Sequence, residues 1–158
     1  MNTKAKLESA AAESSLHQEI LSAALSELAP CRPFDAARVT AMEARVRQQL
    51  DQVAYRFMKL QDTLGERVLP GLLILAEEPL PESATFQQKL QRLERLGAVP
   101  SAETWRTLRE LRNPLAHEYP DAPAIQAALI EALLDGSAQL IEAGDAAKAF
   151  LTALSSRP

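Results

Sequence analysis

Arg112, Asn113, His117, Glu118, Tyr119 and Asp121 fall within the single run RNPLAHEYPD. A histidine, with an ordinary pKa near 6.5, can accept or donate a proton close to neutrality. An arginine presents a permanently charged fork matched to phosphate or carboxylate oxygens. The chemistry such a pair supports is proton transfer beside an anionic group. Helical-wheel arithmetic strengthens the case for Arg112. At about 100° per residue with Arg106 at zero, Leu111 falls near 140°, Leu108 near 200°, Arg112 near 240° and Trp105 near 260°. Arg112 therefore points into the apolar arc, and Arg106 and Arg109 lie outside it. A guanidinium there needs anionic or hydrogen-bonding partners. Pro114 removes a helical hydrogen bond, so the helix ends or kinks near Asn113, which can cap a restarted turn. A kink would swing His117 towards the Arg112 side. The plainer alternative is a structural pair, with Arg112 and His117 bonding to carbonyls around the kink and Tyr119 a core or interface tyrosine.

The run RNPLAHEY, with its Arg, polar residue, His and Tyr at these spacings, resembles the HEPN superfamily of helical ribonucleases, and within it the HepT-like toxins paired with minimal nucleotidyltransferase antitoxins. The resemblance is tight from about Phe86 to Asp121; LDQVAYRFMKLQDTLG is similar, less specifically, to the family's long packing helix. It implies a HEPN-like bundle whose Arg–His motif lies at a cleft between two protomers and cleaves RNA without metal. Arg112, Asn113 and His117 would be the nuclease residues, and Tyr119 the acceptor of AMP from the partner nucleotidyltransferase, which silences the toxin. Cleavage by the ribose 2′-hydroxyl needs a proton acceptor, a proton donor and a cation for the phosphorane. One chain offers one such pair, because the other histidine, His17, lies in a weak N-terminal segment. A homodimer is therefore expected to supply the cleft. A non-catalytic adaptor or substrate-binding subunit of a nucleotidyltransferase is the alternative. The chain itself has no Gly-rich phosphate loop and no metal-ligand spacing, so neither metal nor cofactor is expected.

The elements that must position these residues are helical. Nearly half the chain is hydrophobic but only 4% is aromatic, and the abundant Leu and Ala favour helix. The expected fold is all-α, an antiparallel bundle of about five helices. Residues 1–33 form an N-terminal helical extension that frays in its first half, 34–154 the bundle, and 155–158 a disordered tail. Pro30 and Pro33 end the first helix. Asp35 caps a long second helix with an apolar stripe from Val39 through Leu64, interrupted at Gly65 and Pro70; a helical piece follows from Val68 to Glu77. Ser83 caps a third helix stopped by Gly97, and Ser101 a fourth carrying Trp105, Leu108 and Leu111. Asp121 caps the last, with Ile125, Leu129, Leu133 and Leu140 inward and Gly136 and Gly144 weakening it.

From Phe86 to Arg112, six basic residues face three acidic ones, leaving +3 in a chain of −4. Lys89, Arg92, Arg95, Arg106 and Arg109 are thus candidate RNA contacts beside Arg112, or else a solvated face. The overall acidity argues against a generally nucleic-acid-coating or membrane-surface protein. The lone Cys31 excludes an intramolecular disulfide, and no apolar leader or long uninterrupted apolar run appears. A cytoplasmic location is expected, with no membrane association.

Overall fold

Every regular element among residues 2–78, 80–112 and 121–157, which the computed structural model describes, is helical; these residues contain no strand. The helices are α1 (Thr3–Leu28), α2 (Ala36–Thr40), α3 (Ala44–Thr63), α4 (Leu69–Leu75), α5 (Phe86–Leu96), α6 (Ala102–Glu110) and α7 (Pro123–Ser155). One core cluster draws on all of them except α2, whose Val39 packs against the cluster from its edge. The all-α bundle read from composition and periodicity is the architecture found.

Its framework is α1, α3 and α7. Contacts between His17 and Arg56, Glu13 and Arg67, and Glu27 and Gln49 set α1 antiparallel to α3. Ser15 meets Lys148 and Arg32 meets Glu131, so α1 also opposes α7. The first half of α1 does not fray. Asn2 caps it by accepting from the Ala5 amide at 2.8 Å, and Leu7, Ala10, Ala11 and Ser14 are buried. Small side chains there let α1 lie close to its neighbours, so packing outweighs the weak local pattern.

The long second helix is broken. Asp35 does cap, accepting from Arg38 N at 2.8 Å, but α2 ends at Thr40 and the chain re-enters helix at Ala44. The two pieces serve different partners, α2 lying on α7 and α3 chiefly on α1. The stripe on α3 is as expected, with Leu50, Val53, Phe57 and Leu60 buried. Beyond it, Gly65 and Pro70 do not interrupt. A π turn at Leu64–Val68 carries the helical backbone from α3 directly into α4. Widening the helix just before Pro70 relieves the ring's clash with the preceding turn. Gly65 serves packing: a Cβ there would sit 3.3 Å from the Trp105 ring.

The α5 cap is Thr85, not Ser83. Thr85 and Gln88 form a reciprocal capping box at 2.8 and 3.1 Å, a pairing Ser83 lacks. Gly97 closes α5 in the left-handed region, at φ 85°, where only glycine sits without strain. Asp121 does not cap α7; Ala122 holds that position without a side-chain bond, and Pro123 occupies the first turn. On α7, Leu133 and Leu140 are buried, Leu129 is half-buried and Ile125 is exposed; Ala127, Ile130, Leu134, Ser137 and Ala147 complete the inward face. Gly136 and Gly144 are notches: a Cβ at either would lie 2.7 Å from Leu111 or 2.6 Å from Gln18. The helix runs to Ser155 with Leu154 buried, so the expected loose tail is held at its start. By length and composition alone α7 is also apolar enough to cross a membrane, a property that helices of a protein core share.

Candidate functional site

Arg112 follows α6, and α6 is aimed by both of its ends. Ser101 Oγ accepts from Thr104 N at 3.1 Å and fixes the start. Trp105 and Leu108 are buried, and Leu111 drops its side chain onto the Gly136 notch of α7. With the apolar arc so anchored, Arg106 and Arg109 are exposed and Arg112 is half-buried, the arrangement expected from the wheel. The Nη1 of Arg112 donates to Asp62 Oδ1 on α3. The arginine side chain remains 38% exposed and the aspartate 37%, so the pair stands at the surface and is not sealed in the core. A guanidinium carries five N–H donors. A contact made through one nitrogen orients the fork and leaves donors for a further anion. Asp62 went unnoticed in the sequence because its partner lies fifty positions away.

Asn113, His117 and Tyr119 lie outside the described residues, so the cleft expected for the Arg–His motif has one described member, Arg112.

The expected basic patch is divided. Arg92 and Arg95 line a groove of about 320 Å³ between α5 and the segment before it, with Leu80, Pro81, Ser83 and Gln91. Arg92 also pairs with Glu78 at 2.7 Å. Arg109 covers the Phe86 ring at 4.9 Å from its centroid. Lys89 is half-buried on α5, and Arg106 is exposed on α6. No ion pair or hydrogen bond among the described residues joins any of them to Arg112.

Two charged clusters escaped the sequence reading. His17 is buried on α1, where Arg56 Nη1 lies 2.9 Å from its Nδ1. A guanidinium can only donate, so Nδ1 accepts and the ring proton sits on Nε2, 3.5 Å from Glu13 Oε1. Arg67 closes the chain by donating to Glu13, whose carboxyl it holds below the ordinary range. At the other end of α1, Arg32 grips Glu131 through Nε and Nη2 and reaches Asp135 at 2.8 Å. Arg32 holds the Glu131 carboxyl below its ordinary value, helped by the Phe34 amide, and its own pKa rises in return. Both clusters fasten α1 to its neighbours. Their signal was weak because each joins residues far apart in sequence.

His17 Nε2, Arg56 Nε and polar atoms of Gln61, Trp105 and Ser137 are buried without a hydrogen-bond partner among the described residues. Among those residues no three His, Cys, Asp or Glu side chains gather as a metal site would require. The chain matches no protein-family model, and no curated protein or solved structure matches it either.

Proposed function

We propose that this chain is a HepT-like endoribonuclease that acts without metal, as a homodimer with the Arg112–His117 motif of each copy facing a shared cleft. Arg112 carries the reading. It opens the RNPLAHEY run, it is held by Asp62, and its side chain still reaches solvent. An oriented cation of that kind can receive a phosphodiester and offset the charge that grows on it. His117 supplies the proton transfers, Asn113 supports the turn, and Tyr119 accepts AMP from a nucleotidyltransferase partner that restrains the enzyme.

One observation favours a second reading. The Arg112–Asp62 pair satisfies the arginine, in part, within its own subunit, as a non-catalytic adaptor of a nucleotidyltransferase would permit. Incubating the purified protein with RNA in EDTA at low salt separates the two. Cleavage that disappears in His117→Ala, with helicity and dimer retained, supports the nuclease. No cleavage by unmodified protein, and no growth arrest when it is expressed without its partner, leaves the adaptor.

A further inference from the structure

Tyr55 is the one exposed aromatic side chain among the described residues, at 48%. Phe34, Phe57 and Trp105 are buried, and Phe86 and Phe150 are half-buried. A single exposed apolar side chain is ordinary, and Leu16, Ile74 and Ile125 are exposed too; what sets Tyr55 apart is its π face. Its surroundings are cationic. The Arg56 guanidinium carbon lies 5.3 Å from the ring centroid and the Lys59 ammonium 5.6 Å. Arg56 is tied inward to His17. Lys59 is exposed, and the acid one turn further on, Asp62, is taken by Arg112. α3 carries four basic and two acidic side chains in a chain whose net charge is −4.

The helix puts this ring in line with the candidate site. At about 100° per residue, Gln52, Tyr55, Lys59 and Asp62 fall within an arc of roughly 80° on one face of α3. Tyr55 and Asp62 are two turns apart, about 10 Å along the axis. A stacked strand rising about 3.4 Å per nucleotide covers that distance in about three nucleotides.

Resting on the ribonuclease reading, we propose that Tyr55 and Lys59 form a stacking subsite for single-stranded RNA, two helical turns from Arg112 on the same face of α3. A base lies on the Tyr55 ring, Lys59 leaves the ring for the adjacent phosphate, and the strand runs along α3 to the guanidinium. A duplex keeps its bases stacked on one another and cannot use the ring. The subsite therefore selects single strands, and it reads stacking more than base identity.

The test measures binding in the His117→Ala background, so that cleavage does not intervene. Fluorescence anisotropy follows a labelled 12-nucleotide single-stranded RNA and a duplex of the same length. Tyr55→Ala is expected to weaken single-strand binding about tenfold or more and leave duplex binding within about twofold. Tyr55→Phe keeps the affinity. Lys59→Gln weakens it and lowers the salt slope by about one. Tyr55→Trp provides a direct readout, its added fluorescence being quenched by the single strand; it also serves should Tyr55→Ala melt early. Unchanged single-strand affinity in Tyr55→Ala, an equal loss on both RNAs, or no quenching in Tyr55→Trp overturns the subsite alone. A parent protein that binds neither RNA overturns the subsite and the ribonuclease reading together. Loss of self-association in Tyr55→Ala with RNA affinity intact makes the ring a protein contact and overturns the subsite.

Discussion

Arg112 and Asp62 form a pair whose energetic and functional weights differ. Both side chains are more than a third exposed, so solvent screens their attraction and the pair contributes about 0–1 kcal/mol to stability. The orientation it gives the guanidinium matters far more to an anion than to the fold. Asp62→Asn and Arg112→Lys are accordingly expected to shift the melting temperature by only a few degrees. In the cleavage assay Arg112→Lys should lose most activity, because an ammonium lacks the planar fork. Asp62→Asn should lose less, since the arginine remains but is less firmly aimed. Equal, large losses of stability in both variants, with cleavage unchanged per folded molecule, would show the pair to be merely structural. The wheel placed Arg112 on the apolar side of α6 from sequence alone, and the structure finds it half-buried there. Nothing in the sequence pointed to Asp62, because an ion pair between two helices leaves no periodic trace.

Two predictions belong to the helices and the ties between them. Gly136 lets Leu111 approach α7, and an added methyl would meet its Cδ1 at 2.7 Å. Gly136→Ala gains about 1 kcal/mol of helix propensity but overpacks the contact by about 1–3 kcal/mol. A net loss near 1 kcal/mol in chemical denaturation is expected, with cleavage reduced because Leu111 adjoins Arg112. The Arg32–Glu131 tie gives a pH dependence. Glu131's carboxyl is held below its unfolded value by Arg32. Its stabilisation is therefore complete above the unfolded carboxyl pKa of about 4.3 and lost as pH falls through the lower folded value. Glu131→Gln should cost about 1–2 kcal/mol at neutral pH, the size of a partly screened charge-assisted contact. It should also flatten the fall in melting temperature between about pH 5 and pH 3; an unchanged acid limb would remove Glu131 from this role. Glycines that read as weak points in a helix proved to be places where a neighbour comes close, a distinction that requires knowing the neighbour.

For the whole molecule, α1 is the element whose role changed most between pattern and packing. Leu7, Leu21, Ala24 and Leu28 are at most 4% exposed, and they share a single cluster with Phe57, Leu72 and Leu140. Removing residues 1–33 would strip α3 and α7 of the surface they pack against and break both charged ties. The remaining chain is expected to lose cooperative unfolding and to bind a hydrophobic dye such as ANS. A truncated protein that melts sharply near the full-length temperature would mean that the bundle is complete without α1.

The sequence by itself determined that this chain folds as helices, where α1 ends, where α5 stops and where α6 begins, which faces of α3, α5 and α6 turn inward, and that Arg112 lies on the apolar side of its helix. Those properties are local: propensity, capping and a repeat near 3.6 residues act within a few turns. Tertiary structure alone decided that α1 is core, that helix continues through Gly65 and Pro70, and that Asp62 holds Arg112. Each of these depends on which segments meet in space, and burial and ion pairing between residues distant in the chain follow from the packing of the whole.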